Sequence, residues 1–244
     1  MSINNELLFK IKKLSVLFSD EVTRLRFSSP VSFVYNPLQY ARDGYFKYLD
    51  IAAHSKKKVI FLGMNPGPWG MAQTGIPFGE INFAKEWLRI NANIETPKLE
   101  HPKRKILGFD CKRSEVSGKR LWGFFKEKYK TPDAFFKNNF IANYCPLVFM
   151  EESGKNRTPD KLIKEERDVL YSLCDQYLLD ITKILNPEWI IGIGAFSEKR
   201  IKTALSSVDI KIGKILHPSP ANPLANRGWA EIAQKQLNEL QVIV

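Results

Sequence analysis

The sequence predicts an α/β fold with three layers, in which a central, mostly parallel sheet of four strands lies between helices. Four short apolar segments indicate the strands, because each ends at a glycine, a proline or another turn residue. Segments with helical periodicity separate them, and strands that alternate with helices form parallel sheets covered on both faces. The 244 residues contain no repeat, low-complexity tract or flexible linker, so residues 1–244 are predicted to form one domain.

The predicted elements follow one another along the chain. The strands have the sequences KVIFLG (58–63), FIANYCP (140–146), WIIGIG (189–194) and IGKILH (212–217). Helices are predicted around 7–18, from Thr158-Pro159 to Asn186-Pro187, from the turn at Gly194 to Ser206, and over 229–240. In the longest helix, proline suits the first helical position, and Ile163 is predicted to lie on the inner face.

Unusual loops follow three of the predicted strands. They are GMNPGPWGMAQTGIPFGE (63–80), the segment of Asn143 with Cys145-Pro146, and HPSPANPLANRGW (217–229). In sheets of this kind, ligands bind outside the carboxyl ends of the strands. The first loop is neither G-x-G-x-x-G nor a Walker loop, and its glycines and prolines favour a binding loop over a structured turn.

Four side chains in these loops are candidate functional groups, and each has a plainer alternative. Asn65 either holds a water or caps a turn, and His217 is either catalytic or a turn residue. Phe78 either stacks on a ligand or packs in the core, and the amide of Asn143 is either a reader of donor and acceptor edges or structural. Glu80 is the only acidic residue in the three loops. We therefore expect a reaction that proceeds without a strong local base, with a leaving group that departs as a stabilised anion.

The charge of the chain favours a polyanionic partner. The formal net charge is +11 and the pI is about 9.5. Residues 103–130 contain ten Lys and Arg residues against three acidic ones, a local net charge of +7. Such a segment suits a nucleic-acid backbone. On charge alone, a solvated basic face is an equally good interpretation.

Composition and spacing exclude several other classes. No apolar run is long enough to span a membrane, and the N-terminus lacks the apolar stretch of a signal peptide, so an intracellular protein is expected. Cys111, Cys145 and Cys174 form no C-x-x-C pair, and the three histidines have no metal-ligand spacing. No metal and no cofactor are therefore expected.

Four motifs together resemble a known family. GMNPGPWGMAQTGIPFGE, HPKRKILGFDCKRSEVSGKRLWGFF (101–125), NYCPL (143–147) and HPSPANPLANRGW resemble the single-strand-selective monofunctional uracil-DNA glycosylases, over roughly residues 31–240. This group belongs to the uracil-DNA glycosylase superfamily. The resemblance implies an α/β fold with a four-stranded parallel sheet. It also implies hydrolysis of the N-glycosidic bond of uracil and 5-modified uracils in DNA, in base excision repair, without a metal.

The resemblance also assigns roles to individual residues. It implies that Asn65 positions the attacking water and that His217 stabilises negative charge on the uracil O2 atom. It implies that Asn143 reads the amide edge of the flipped base and that Phe78 stacks on it. It implies that the wall of the base pocket includes Met64, Gly67 and Met71. It also implies that the loop in contact with DNA includes Ser219, Pro220, Ala221, Asn222, Pro223, Leu224 and Arg227. Because Gly67 has no side chain, we expect space beside C5 of the base, and hence activity on 5-hydroxymethyluracil but little on thymine.

Three positions depart from the family pattern. Trp69 stands where phenylalanine is expected, Ala221 where arginine is common, and Leu224 where a polar residue is expected. Leu224 either fills the hole left by a flipped base or packs inward beneath the loop. The function is expected to be either an active glycosylase on single- and double-stranded DNA or a damaged-DNA-binding module with weak or altered glycosylase activity. A monomer is expected, located in the cytoplasm in association with the nucleoid if bacterial and in the nucleus if eukaryotic.

Overall fold

A computed structural model describes residues 5–242 and contains a central parallel sheet of four strands. The strands in chain order are β1 (Phe33–Tyr35), β2 (Val59–Gly63), β3 (Asn139–Asn143), β4 (Val148–Met150), β5 (Asn156–Arg157), β6 (Trp189–Ile193) and β7 (Lys211–Ile215). The central sheet has the order β3-β2-β6-β7, and every neighbouring pair is parallel. The predicted α/β fold and all four predicted strands are confirmed.

Helices cover both faces of this sheet. They are α1 (Asn5–Thr23), α2 (Pro37–Tyr40), α3 (Arg42–Ala52), α4 (Met71–Thr74), α5 (Val116–Tyr129), α6 (Pro132–Phe136), α7 (Lys164–Leu185), α8 (Ala195–Ala204) and α9 (Trp229–Glu239). Helix α7 packs against α1 and α8, while α5 packs against α9 on the other side. All five residues of β2 are buried, as expected for a strand covered on both faces. Within residues 5–242, each helix is either too short or too polar to span a lipid bilayer.

The longest helix begins later than the sequence predicts. Pro159 starts a single 3₁₀ turn, Pro159–Lys161, and α7 begins only at Lys164. Between them Leu162 and Ile163 are extended, with ψ angles of 157° and 151°. Ile163 is therefore not on the inner face of the helix, and the residue is 46% exposed. The predicted end is correct, because Asn186 adopts the left-handed conformation that terminates α7.

A second, small antiparallel sheet was not predicted. It has the order β1-β4-β5, with Val34 opposite Phe149. Its strands are two or three residues long, too short for an alternating pattern to stand out in the sequence. Two of its strands, β4 and β5, follow β3 in the chain. Residues in or next to these two strands, namely Leu147, Asn156 and Thr158, lie beside the carboxyl ends of the central strands.

The three unusual loops meet at the carboxyl ends of β2, β3 and β7. Parallel pairing extends past the sheet, because the N–H groups of Tyr144 and Cys145 donate to the carbonyl oxygens of Gly63 and Met64, both at 2.9 Å. The first loop and the Asn143 loop are therefore held side by side. Loop 217–229 follows β7 and reaches the same edge of the sheet.

Candidate active site

A cleft of about 430 Å³ opens where these loops meet. Its lining includes eight of the residues that the sequence singled out, namely Met64, Asn65, Gly67, Phe78, Asn143, His217, Ser219 and Pro220. The other candidates, Met71, Ala221, Asn222, Pro223, Leu224 and Arg227, do not line it. The cleft thus combines the side chains expected for chemistry and base contact.

The side chain of Asn65 has a defined orientation. Its Nδ2 donates to the carbonyl oxygen of Leu147 at 3.1 Å, which assigns the two ends of the amide. Among residues 5–242, no group bonds to its Oδ1 atom, and no backbone N–H of the following turn is capped by it. The geometry favours the interpretation in which Asn65 holds a water over the one in which it caps a turn, because its Oδ1 acceptor at the end of β2 remains available to a ligand.

His217 is held as a neutral hydrogen-bond donor. The N–H of Ser219 donates to its Nδ1 atom at 3.1 Å, so the ring proton of the neutral form is on Nε2. Burial lowers the pKa of His217 to about 4. Gly194, with a φ of 92°, lies directly against it, and a Cβ atom there would approach the His217 Cβ to 3.1 Å. The ring therefore presents an uncharged Nε2–H group at neutral pH.

The ring of Phe78 and the amide of Asn143 converge above Gly63. A Cβ atom at position 63 would lie 2.5 Å from Asn143 Oδ1 and 2.6 Å from the Phe78 ring, so glycine is needed here. Phe78 has a positive φ of 54°, a strained conformation that is often found at functional sites. Asn143 Oδ1 is buried and has no hydrogen-bond partner within residues 5–242.

Met71 lies behind the amide rather than on the wall of the cleft. It is 3% exposed, and its sulfur accepts a contact from Asn143 Nδ2 at 3.2 Å. This contact directs Nδ2 away and leaves Oδ1 as an acceptor without a partner. A buried acceptor of this kind is costly unless a ligand supplies a donor.

One acidic residue in the cleft was not predicted from the sequence. Glu115, at the N-terminus of α5, lines the cleft together with Ser114, Val116 and Ser117. Glu80 is the only acidic residue within the three loops, but it is not the only one near them. Glu115 belongs to the conspicuous 101–125 segment, but nothing in the local pattern shows that it folds back against the first loop.

Trp69 links the cleft to the basic segment. The guanidinium groups of Arg104 and Arg113 lie over its ring, at 5.1 Å and 4.5 Å from the ring centre. Guanidinium groups stack favourably on aromatic faces and bind phosphates. The positive charge of residues 103–130 therefore extends to the edge of the cleft.

Hydrogen bonds from Arg120 and Asn226 hold loop 217–229 in place, and Leu224 in this loop is exposed. Arg120 donates to the carbonyl oxygen of Pro218 at 3.0 Å and to Asn226 Oδ1 at 2.8 Å. Asn226 in turn donates to the carbonyl oxygen of Pro220 at 2.9 Å. Leu224 is 53% exposed, so the alternative in which it packs inward is wrong.

Comparisons with known proteins agree on the family to which this chain belongs. The model of the uracil DNA glycosylase superfamily matches residues 51–240. The single-strand selective monofunctional uracil DNA glycosylase of Bos taurus is 43% identical over 227 residues, covering 92% of this chain and 84% of that protein. The enzyme of the same name from Rattus norvegicus is 43% identical over 225 residues, covering 91% and 81%.

A solved structure matches the fold. The crystal structure of wild-type SMUG2 from Pedobacter heparinus superposes with a TM-score of 0.69, covering 95% of this chain and 97% of that one. The sequence identity is 16%, so this likeness concerns the fold alone.

Proposed function

The chain belongs to the single-strand-selective monofunctional group of the uracil DNA glycosylase superfamily, and on that premise we propose that it hydrolyses the N-glycosidic bond of uracil in DNA. The product is an abasic site, and the reaction belongs to base excision repair. The observation that carries the proposal is the convergence of Asn65, His217, Asn143 and Phe78 in one cleft at the carboxyl ends of the strands.

The base must leave the duplex before the bond can be reached. A flipped uracil stacks on Phe78, and its N3–H donates to Asn143 Oδ1, the buried acceptor that lacks a protein partner. Cytosine has an acceptor at N3, so the same oxygen repels it. Uracil thereby supplies the hydrogen bond that Asn143 Oδ1 lacks, and this selects uracil over cytosine.

Bond cleavage leaves negative charge on the base. The Nε2–H of neutral His217 donates to the uracil O2 atom and stabilises that charge as it develops. Asn65 Oδ1 accepts a hydrogen bond from the attacking water and orients it toward the sugar carbon. An amide cannot remove a proton, so the water attacks late, after the bond to the base has largely broken. The water oxygen bonds to the sugar carbon, and the proton that the water loses neutralises the departing uracil anion.

The other expectations about this activity rest on the family and the charge distribution. We propose action on both single- and double-stranded DNA, by a monomeric, single-domain enzyme that needs no metal or cofactor. Substrates include 5-modified uracils such as 5-hydroxymethyluracil. We propose that the enzyme works where the cell holds its DNA, the nucleoid if bacterial and the nucleus if eukaryotic.

A damaged-DNA-binding module with weak activity is the second candidate. The departures at Ala221 and Leu224 in the DNA-contact loop favour it, whereas the intact Asn65 and His217 favour the enzyme. Purified protein should release free uracil from single-stranded oligonucleotides in EDTA, and leave matched cytosine oligonucleotides intact. Tight binding to uracil-containing DNA without release of uracil would support the binding module instead.

A further inference from the structure

The space beside Gly67 is occupied by a carboxyl group. A Cβ atom at position 67 would lie 2.5 Å from Glu115 Cδ and 2.6 Å from Oε1, and would overlap Oε2. A Cβ atom at position 70 would likewise overlap Oε2 and lie 2.8 Å from Cδ. Both glycines are therefore required for the carboxyl to reach this wall of the cleft.

This carboxyl lacks a full set of partners. Oε2 is inaccessible to solvent and has no hydrogen-bond partner within residues 5–242. Glu80, the other buried acid nearby, differs in this respect because its Oε2 accepts the N–H of Phe83 at 3.1 Å. An unpaired buried carboxyl oxygen is costly, and a donor from a ligand in the cleft would relieve that cost.

We infer that the Glu115 carboxyl is the polar wall on the C5 side of the base pocket and determines which 5-substituted uracils are released. The inference rests on the proposed function and on the expected place of Gly67, which lines the cleft, beside C5 of the base. A 5-hydroxymethyl group offers a hydroxyl donor to this wall. The methyl group of thymine offers none, and a 5-carboxyl group brings a second negative charge.

The charge state of this wall changes near neutral pH. Burial raises the pKa of Glu115 to about 7, and the charge of Glu80 adds to the rise, while the peptide N–H groups of Gly70 and Trp69 oppose it. Glu80 is the one titratable side chain that the first loop, residues 63–80, contributes. Arg104 and Arg113, both stacked on Trp69, and neutral His217 are further ionisable groups that residues 5–242 place around the cleft. Glu115 is therefore an uncharged acid below this pKa and a carboxylate above it.

The test compares base release from single-stranded oligonucleotides that contain uracil, 5-hydroxymethyluracil, 5-carboxyuracil or thymine. Single-turnover rates are measured from pH 6 to 8.5, and each rate is divided by the uracil rate of the same protein. The variants are Glu115→Gln, which removes the charge, and Glu115→Leu, which also removes the hydrogen-bonding group. Glu127→Gln, an exposed acid on the same helix, is the matched control.

For the wild type and Glu127→Gln, the 5-carboxyuracil ratio should fall as pH rises through about 7, because a carboxylate repels a carboxylate. For Glu115→Gln, this ratio should become independent of pH and rise about tenfold at pH 8. For Glu115→Leu, the 5-hydroxymethyluracil ratio should fall about tenfold and the thymine ratio should rise.

A purely structural role gives a different result. If Glu115 only holds the first loop, every substrate slows by the same factor and all ratios stay constant, which would overturn the inference. If Glu115→Leu melts at a much lower temperature than the wild type, the inference is still tested by the substrate ratios of Glu115→Gln and by the pH dependence of the wild type. A wild type that releases no base at all contradicts the proposed function, whereas unchanged ratios in an active enzyme contradict only the role of Glu115.

Discussion

At the scale of single residues, the site depends on polar groups that are oriented before any substrate arrives. The Leu147 carbonyl orients the Asn65 amide, and the Ser219 N–H selects the tautomer of His217. Groups held in this way need little reorganisation during the reaction, which is the main source of electrostatic catalysis. The two side chains are thus expected to contribute to the chemical step more than to DNA binding.

Asn65→Ala and His217→Ala should each lower the single-turnover rate of uracil release by on the order of 10²–10³-fold. The first loses the group that orients water, and the second loses the donor to the anionic base. DNA affinity, measured by fluorescence anisotropy with an uncleavable analogue, should change little. Rates within threefold of wild type for either variant would remove that residue from the mechanism.

The protonation state of His217 gives a second prediction at this scale. Its pKa in the folded protein is lowered to about 4 from an ordinary value of 6.5, so protonation is unfavourable until pH falls well below neutral. His217 should therefore contribute no step to the rate profile between pH 6 and 8, and activity should fall as pH approaches 4. The ring nitrogens can be followed by NMR in ¹⁵N-histidine protein. A midpoint near 6.5 for His217 would contradict the neutral donor.

At the scale of elements, loop 217–229 combines a rigid base with an exposed tip. Arg120 and Asn226 tie its backbone together, while Leu224 projects into solvent. An exposed leucine on a braced loop is suited to wedge between bases, because insertion keeps a flipped base from returning. We expect the wedge to matter in duplex DNA and little in single strands, where there is no partner base to displace.

Leu224→Ala should therefore reduce uracil release from duplex DNA several-fold more than release from single strands. Because the side chain is exposed, the free energy of unfolding should change by no more than about 0.5 kcal/mol. Leu17→Ala on α1, where the leucine is 54% exposed, is the matched control and should leave the ratio of the two activities unchanged. An equal loss on both substrates would show that Leu224 is not the wedge.

At the scale of the whole molecule, the +11 charge should govern DNA affinity. Each phosphate contact releases condensed counterions, so binding should weaken steeply as salt increases. Arg113, exposed beside Trp69 at the cleft, is expected to make one such contact. Arg113→Gln should lower affinity to a similar extent for all sequences and reduce the slope of log K against log salt by about 1.

The control for this prediction is Lys13→Gln on α1, an exposed position outside the basic segment. Its salt slope should match that of the wild type. A flat salt response in the wild type would mean that the basic segment does not bind the DNA backbone.

The sequence by itself determined the layers, the four parallel strands and the loops that form the cleft. These features come from local patterns, namely apolar runs, helical periodicity and glycine or proline at strand ends, and neighbours along the chain are enough to establish them. The predicted start of α7 was wrong because proline can begin a 3₁₀ turn as well as an α-helix. The small antiparallel sheet was missed because its strands are too short for a pattern, and the single-domain expectation stays a prediction.

Only the tertiary structure decided which distant groups meet. The order β3-β2-β6-β7, the contact of Glu115 with Gly67 and Gly70, and the carbonyl that orients Asn65 all join segments far apart in the chain. The tautomer and lowered pKa of His217 depend on a specific N–H and on burial, and the exposure of Leu224 depends on the path of its loop. Such properties arise from through-space packing, desolvation and hydrogen-bond geometry, which a local sequence pattern does not contain.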